Sequence, residues 1–550
     1  MNKKILALLF LITLLAFTLR FYKVTEIPPS LNWDEVSIGY NAYSVLQTGK
    51  DEWGEVFPVH FKSYGEYKLP VHIYASIPGI AIFGLNELGV RITPVVYGTF
   101  TVILLFFLTR ELFKNSYISL IAALLLAISP WHIQLTRGSF ESSFATMWVL
   151  MGIWFLIKGF RDPKWWMASV IPFSLSVYTY NTARVFVPIF LLIVAVIYRN
   201  EIFKHKKEFL ISGILFVILM IPLTQFVLSG EGNSRYKLVS VTDDPGLVPR
   251  INEQRGLSTL PDPLPRLLHN KVTYVGRSVL SNYVAHFSPN FLFVSGAPHK
   301  QHHAQGVGEM YLFQAPFFIL GLWFLISKKY KFIWLLLAWP LITVFPVSFT
   351  NDSIPNALRT LISVPFYQVV TGFGIYNCFI WLQRKSKLFS IIGYLTLGLV
   401  VVLSIAIYYK NYLYSYPILY SRDWQYGYKQ VVKYIENNYD KYDMIVFTRH
   451  YGEPHMFTLF YTKYDPAKFY NNPNLVRFET YDWVRVLKFD KYYFPDLGDK
   501  GTTYEDIRQE NIGKKILFVG KSGDFPKDAK DLYSVNFLNG DKAFEIVGVP

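Results

Sequence analysis

The sequence is poor in cysteine and in charge, and each shortage excludes a class of protein. Its 550 residues contain a single cysteine, Cys378, which lies inside an apolar run. One cysteine cannot form an internal disulfide or a thiolate metal cluster, so neither holds the fold together. Only 17% of the residues are charged, while 52% are hydrophobic. This balance is too apolar for a soluble enzyme of this length and predicts a polytopic membrane protein.

Two further patterns are missing from the sequence. It has no glycine-rich phosphate loop of the Walker or Rossmann form, which argues against ATP-driven transport and against a nucleotide cofactor. The halves of its apolar region show no obvious repeat of the kind that many secondary transporters have. The formal charge is +15, but the basic residues fall in short groups between apolar runs. That distribution indicates membrane topology and not nucleic-acid binding.

Long apolar runs predict about eleven membrane helices, at roughly 20 residues per crossing. The first run could be a cleaved signal peptide, but its length and the lack of a small-residue cleavage pattern before Pro28 favour a membrane span. The runs are Ile5–Phe21, Val90–Leu108, Tyr117–Leu135, Phe140–Ile157, Trp165–Tyr180, Val185–Ile197, Phe209–Leu228, Tyr311–Ser327, Phe332–Phe349, Leu361–Leu382 and Leu388–Tyr409.

Lysine and arginine are concentrated in alternate loops, as the positive-inside rule requires of cytoplasmic loops. With the N-terminus inside, the long loops 24–88 and 229–310 lie outside, and so does everything after the last span. The basic loops hold Arg110 and Lys114; Lys158, Arg161 and Lys164; Arg199, Lys204, Lys206 and Lys207; Lys328, Lys329 and Lys331; and Arg384, Lys385 and Lys387.

Two adjacent carboxylates, Asp34 and Glu35, follow the first span and the helix-stopping Pro28-Pro29. An apolar environment raises a carboxylate pKa and a nearby cation lowers it again, so one of the pair can be held ready as a base. Lys68 would supply such a cation. The alternatives are two solvated loop acids and a lysine that anchors the loop at the level of the lipid headgroups.

Arg137, Arg184 and Arg359 are single arginines in shorter outer loops, where positive charge should be scarce. Because a guanidinium suits phosphate or carboxylate, the three together favour a shared anionic ligand. Snorkelling of each arginine to lipid headgroups is the alternative.

Three histidines, His299, His302 and His303, lie near the end of loop 229–310. They could bind zinc, but His302 and His303 are neighbours that point in different directions and the nearby acid is Glu309 alone. Polar contacts with a sugar or a pyrophosphate-like headgroup are favoured over a metal site.

Residues 410–550 differ in character from the membrane domain, residues 1–409. The pattern predicts a helix over Trp424–Asn438 and strands at Met444–Thr448, Ile516–Val519 and Phe544–Val547. This indicates a soluble α/β or α+β domain, placed outside the cytoplasm by the parity of the crossings.

Over residues 1–383 the order of these features resembles the GT-C superfamily of membrane glycosyltransferases. The resemblance is to the bacterial branch related to protein O-mannosyltransferases and the lipid A aminoarabinose transferase, which is similar to glycosyltransferase family 39. The matching residues are Pro28-Pro29, Asp34-Glu35, Gly49, Pro58, Lys68-Leu69-Pro70, Phe83-Gly84, Arg91 with Pro94, Arg137 with Glu141, Tyr178 to Arg184 with Pro188, and Pro355 to Arg359 with Pro365.

The resemblance implies inverting transfer of a sugar from a polyprenyl-phosphate carrier to a protein, lipid or glycan acceptor, on the outer face of the plasma membrane. Asp34 would be the base, Glu35 would hold the acceptor or the loop, and Glu141 matches the second acidic position. No cofactor is required, although some relatives use a metal ion. The other implied contacts are Lys68, Arg137, Arg184 and Arg359 with the carrier phosphate, and Tyr178, Tyr180, His299, His302 and His303 with substrate.

Two other functions are compatible with parts of the pattern. A flippase or transporter of lipid-linked sugars would use the same arginines to guide a headgroup, and a scaffold would act through residues 410–550. Transport requires charge along the depth of the membrane, whereas catalysis requires it at one face. Because the central parts of the spans are almost free of charge, the sequence favours the enzyme.

Overall fold

The structure, a computed structural model, describes residues 2–230, 232, 234–480, 483–498 and 501–549. Residues 231 and 233 of the predicted outer loop 229–310 therefore lie outside the described residues. The chain forms two compact units, which we call the helical unit and the sheet unit. The helical unit comprises Met1–Tyr22, Pro94–Thr136 and Phe140–Tyr409, and the sheet unit comprises Lys23–Thr93, Arg137–Ser139 and Lys410–Pro550.

The described residues form α-helices, short π and 3-10 segments, and β-strands. The α-helices are α1 Lys3–Phe21, α2 Trp33–Thr48, α3 Pro70–Phe83, α4 Glu87–Phe113, α5 Ser116–Ile128, α6 Pro130–Arg137, α7 Glu141–Gly159, α8 Lys164–Val177, α9 Asn181–Ile197, α10 Arg199–Lys204, α11 Lys206–Leu228, α12 Ser234–Val239, α13 Leu247–Gly256, α14 Leu264–Leu268, α15 Lys271–Ala285, α16 Gln314–Ser327, α17 Ile333–Ser348, α18 Ala357–Thr360, α19 Val364–Lys385, α20 Lys387–Lys410, α21 Tyr416–Leu419, α22 Tyr428–Asn438, α23 Pro454–Tyr461, α24 Pro466–Tyr470 and α25 Tyr504–Glu510. The strands are β1 Phe61–Lys62, β2 Tyr67–Lys68, β3 Met444–Phe447, β4 Val476–Glu479, β5 Val484–Phe489, β6 Tyr492–Tyr493, β7 Ile516–Gly520, β8 Asp531–Asn536 and β9 Lys542–Val549.

Each predicted apolar run contains a helix, as expected of a membrane span, because inside lipid a single segment can satisfy its own backbone hydrogen bonds only as a helix. Five helices of the described chain are long and apolar enough to cross a membrane, or six if α5 and α6, which meet at 54°, form one broken span. Several other apolar helices are shorter. The predicted number of about eleven crossings therefore stays a prediction.

The break between α5 and α6 lies at Pro130, whose ring nitrogen cannot continue the helical hydrogen bonding. Two carbonyls at the break accept hydrogen bonds from the side chain of Arg20, which is fully buried. Its Nη1 donates to the carbonyl of Ala127 at 3.0 Å and its Nη2 to that of Leu126 at 3.3 Å. The buried guanidinium of Arg20 thus caps the C-terminal end of α5.

Residues 410–549 of the sheet unit build a seven-stranded mixed sheet in the order β4-β5-β6-β3-β7-β9-β8. The central strands β6, β3 and β7 run parallel, and the outer pairs are antiparallel. Strand β7 is buried throughout, which explains its continuous apolar sequence. The predicted strands are observed, but the predicted helix from Trp424 begins only at Tyr428, because Gly427 has a φ of 113°.

Candidate active site

The first turn of α2, in the sheet unit, holds both acids of the Asp34-Glu35 pair. The Asn32 side chain accepts a hydrogen bond from the Glu35 backbone N–H at 2.9 Å, and the Glu35 carboxylate accepts one from the Asn32 backbone N–H at 3.1 Å. This reciprocal capping box fixes the start of the helix. The helix N-terminus also favours negative charge there.

The Glu35 side chain is fully buried and forms an ion pair with Arg91, which is equally buried. The guanidinium Nε and Nη2 donate to the two carboxylate oxygens at 2.9 and 3.0 Å. The backbone N–H of Ser139 donates to the same carboxylate at 3.1 Å. With two hydrogen bonds from Arg91 and two from backbone N–H groups, this carboxylate connects the start of α2 to α4 and to Ser139.

Arg91 also holds the turn that leads into α2. Its Nη1 donates to the carbonyls of Val24 and Pro28 at 2.9 and 2.8 Å, and its Nη2 donates to that of Ser30 at 2.5 Å. Arg91 lies near the start of α4 and thereby connects that helix to residues 24–30 as well as to Glu35.

Asp34 has very different surroundings from its neighbour. Its carboxylate is 2.6 Å from the Nζ of Lys68, on strand β2. The Lys68 side chain is only 4% exposed, whereas that of Asp34 is 34% exposed. The cation is therefore fixed within the protein, and the partly exposed acid is the member of the pair that a ligand can reach.

Arg137 of the sheet unit is fully buried. Its Nη2 donates to the carbonyl of Ile27 at 2.7 Å, and its guanidinium lies over the ring of Tyr412, 5.4 Å from the centroid. Close by in sequence, the hydroxyl of Ser139 is 2.8 Å from the Nε2 of His72. The predicted contact of Arg137 with a carrier phosphate remains a prediction.

The other predicted site residues belong to the helical unit. Glu141 lies in the first turn of α7, and Tyr180 precedes α9. The Tyr178 hydroxyl donates to the Leu219 carbonyl at 2.8 Å. Arg184 lies on α9, and its Nη1 donates to the carbonyl of Gly232 at 3.4 Å.

Arg359 has an acidic partner, Asp352, that its sequence pattern does not predict. Its Nη2 is 2.7 Å from the carboxylate of Asp352, and its Nη1 donates to the Thr350 hydroxyl at 2.9 Å. The Asp352 side chain is 44% exposed and that of Arg359 is 9% exposed. The turn is held by His286, whose Nε2 accepts a hydrogen bond from the Asn356 backbone N–H at 2.9 Å.

The three predicted substrate histidines fall into two environments. The rings of His299 and His302 stack with centroids 3.7 Å apart. His303 is almost fully buried, with its Nδ1 3.0 Å from the Glu309 carboxylate. Burial lowers the pKa of His303, but Glu309 and two backbone contacts outweigh this and raise it overall. No group of three or more metal-ligating side chains occurs among the described residues.

Arg91 and Ser139, which complete the environment of Glu35, were not assigned a role from the sequence. One signal was available, because Asn32-x-x-Glu35 has the spacing of a capping box. That spacing indicates a Glu35 side chain folded back on the helix start. The pairing with Arg91, far along the chain, has no comparable local signal.

Known proteins resemble this chain in sequence and in fold. A family model described as dolichyl-phosphate-mannose-protein mannosyltransferase matches residues 68–225. The sequence matches no curated protein. Among solved structures, ArnT from Cupriavidus metallidurans bound to undecaprenyl phosphate has a TM-score of 0.54 at 11% identity, and the match covers 99% of this chain and 97% of that one. The resemblance to the GT-C superfamily of membrane glycosyltransferases is confirmed.

The match to ArnT in the apo state has a TM-score of 0.53 at 11% identity and covers 99% of this chain, so it includes the C-terminal sheet as well as the helices. A second GT-C structure is the archaeal oligosaccharyltransferase AglB from Archaeoglobus fulgidus, in complex with an inhibitory peptide and a dolichol-phosphate. Its TM-score is 0.46 at 13% identity, over 79% of this chain. The chain spans 58% of the length of AglB.

Proposed function

We propose that the protein is an inverting glycosyltransferase that moves a sugar from a polyprenyl-phosphate carrier to an acceptor hydroxyl at the extracytoplasmic face of the membrane. The family model and the fold shared with ArnT support the reaction class. The undecaprenyl phosphate bound to ArnT supports the choice of carrier. The acceptor class stays open among protein, lipid and glycan.

The contrast between Asp34 and Glu35 carries this proposal. Glu35 is fully buried and hydrogen-bonded on both oxygens, whereas Asp34 is partly exposed beside a buried cation. A general base must come within hydrogen-bonding distance of the proton that it removes. Asp34 can do this without disturbing the capping box, and Glu35 cannot.

In the proposed reaction the Asp34 carboxylate takes the proton of the acceptor hydroxyl. The acceptor oxygen bonds to the anomeric carbon of the sugar, and the bond from that carbon to the carrier phosphate breaks. The electron pair leaves with the phosphate, so negative charge grows on polyprenyl phosphate and requires nearby cations. Lys68 is placed to orient the Asp34 carboxylate before the acceptor binds.

The roles of the remaining site residues are proposed from their charge and from the resemblance to the GT-C superfamily. We assign Lys68, Arg137, Arg184 and Arg359 to the carrier phosphate, since arginine can form two parallel hydrogen bonds to one phosphate group. Asp352 keeps the Arg359 guanidinium oriented by its ion pair. We assign Glu141 as the second acidic group. The substrate contacts in this proposal are Tyr178, Tyr180, His299, His302 and His303.

The test is a transfer assay with the purified full-length chain and radiolabelled polyprenyl-phosphate sugars. We expect the label to leave the carrier and to appear on an acceptor with inverted anomeric configuration. Label that crosses a vesicle membrane while still attached to its carrier would instead identify a flippase. Retained configuration would overturn the single-displacement mechanism.

A further inference from the structure

A cleft in the helical unit is lined by none of the residues assigned to the transfer reaction. It has a volume of about 250 Å³ and is formed where α4 ends, where α7 ends and where α17 begins. Its apolar lining includes Leu112, Ile157 and Leu336. Because α4 and α7 are long and apolar enough to cross a membrane, we place residues at their ends at the level of the lipid headgroups.

The rim of this cleft carries unbalanced positive charge. Lys114, Arg161 and Lys331 line it together with one acid, Glu111. Glu111 pairs with both Lys114 and Arg161, the latter at 3.2 Å. Three cations against one carboxylate leave a net charge of +2. The Lys114 and Arg161 side chains are 57% and 71% exposed, so they remain accessible to an anion.

Aromatic side chains give the cleft a fixed shape. The rings of Phe160 and Phe332 lie 5.6 Å apart, and the Nζ of Lys331 lies 5.6 and 5.4 Å from their centroids. The hydroxyl of the buried Tyr198 donates to the Lys331 backbone carbonyl at 2.9 Å, which holds this turn in place. The cation and the aromatic walls are therefore present before any ligand arrives.

We propose that this cleft binds the headgroup of an anionic phospholipid in the leaflet that the charge pattern predicts to be cytoplasmic. The headgroup phosphate would meet Lys114, Arg161 and Lys331, and the start of an acyl chain would lie along the apolar lining. Basic pockets between membrane helices on this side suit such headgroups. Loop lysines that only set topology require no cleft, whereas an amphiphile requires both the charged rim and the apolar floor.

The proposal is tested by native mass spectrometry of the full-length chain with phosphatidylglycerol or phosphatidylcholine added. We expect preferential retention of phosphatidylglycerol. At about fivefold in affinity per basic residue, Lys114→Gln with Arg161→Gln should weaken its binding about 25-fold. The matched control is Arg384→Gln with Lys385→Gln, which removes the same charge from exposed positions on the same predicted side without touching the cleft.

Each outcome decides the matter. Equal retention of the two lipids, or an equal loss of binding in the control, would overturn the proposal. Displacement of the lipid by equimolar inorganic phosphate would identify a soluble anion as the ligand instead. If the double variant does not fold, Lys331→Gln alone should weaken phosphatidylglycerol binding about fivefold. Since this lipid-binding assay does not measure sugar transfer, its failure is separate from failure of the proposed enzyme activity.

Discussion

The two sides of the first turn of α2 show how neighbouring carboxylates acquire different roles. On one side Glu35 and Arg91 are both fully buried and joined by two hydrogen bonds. On the other side Asp34 is 34% exposed and contacts the ammonium group of a buried lysine, Lys68. A carboxylate thus has a structural role where it is buried, as in Glu35, and is a candidate base where it is accessible, as in Asp34.

This contrast implies that burial of the acid, and not the presence of a cation, separates the two roles. A buried ion pair that loses one partner leaves an uncompensated charge in a place without water. Where the acid is exposed, as Asp34 is, loss of the cation leaves the carboxylate in contact with water, so the cost in stability is smaller. The reactivity of the carboxylate then changes. The contrast can therefore be tested through stability on the buried side and through sugar transfer on the exposed side.

The largest loss of stability is expected from Arg91→Gln. It leaves Glu35 buried without its cation and releases three backbone carbonyls, so unfolding should become easier by about 3–5 kcal/mol. Thermal unfolding in detergent measures this. Arg508→Gln is the control, because Arg508 and its partner Glu505 are both more than half exposed and such pairs contribute less than about 1 kcal/mol. Equal shifts in the unfolding temperatures of the two variants would refute a structural role for the Glu35–Arg91 ion pair.

Glu52 is a second buried acid, but its neighbouring arginine, Arg477, hydrogen-bonds to its backbone and not to its carboxylate. Arg477 donates to the backbone carbonyl of Glu52, and the Asn41 amide donates to the carboxylate. Burial raises the pKa of Glu52 from 4.5 to about 7, although the Asn41 hydrogen bond lowers it in part. Between these values the folded protein keeps a proton that the unfolded chain has lost, so stability falls as the pH rises.

We expect this loss of stability to reach about 3 kcal/mol as the pH rises to 7. Glu52→Gln should remove it, which unfolding curves at several pH values between 4.5 and 7.5 would reveal. Glu479→Gln, at a position whose side chain is 65% exposed, serves as the matched variant and should keep the slope. A wild-type curve that is flat over this interval would contradict the assignment.

Lys68→Gln tests the exposed side of the turn. It removes the cation next to Asp34, so we expect kcat/KM for the donor to fall about 100-fold, within the range for lost electrostatic stabilisation of a transition state. Lys68→Arg should recover part of the activity because the charge is kept. An undiminished kcat/KM in Lys68→Gln would remove Lys68 from the site.

A smaller effect is expected from Arg359→Lys. A lysine keeps the ion pair with Asp352 but cannot bond a phosphate through two parallel hydrogen bonds, so donor affinity should weaken about tenfold. Titration of the donor against purified protein provides the measurement, with membrane insertion as the control for folding. If the affinity did not change, Arg359 would have a structural role in its turn.

Much of the fold could be predicted from the sequence because its signals are local. Apolar runs of membrane length gave the helices, and short β-branched runs gave β3 and β7. The number of crossings could not be fixed, since helices such as α9, α16 and α17 are shorter than a full span. Tertiary packing, and not local composition, decides how such helices cross.

The candidate site was predictable only in part, for a similar reason. The acids and Lys68 are close in sequence and belong to one loop, so their proximity could be expected. Arg91 meets Glu35 across 56 residues and Ser139 meets it across 104. Asp352 lies only seven residues before Arg359, but a lone arginine in an outer loop is equally compatible with an external anionic ligand, so the sequence does not indicate this ion pair.

The most direct test compares Asp34→Asn with Glu35→Gln in the same preparation, with transfer rate, donor binding and unfolding temperature measured for each. For Asp34→Asn we expect a turnover lower by about 10² to 10⁴, the range for a lost general base, with donor binding kept and a smaller drop in unfolding temperature than Glu35→Gln causes. For Glu35→Gln we expect the larger drop in unfolding temperature and the smaller loss of turnover. Near-normal transfer by Asp34→Asn would show that Asp34 is not the base and would move the search for the base to Glu141.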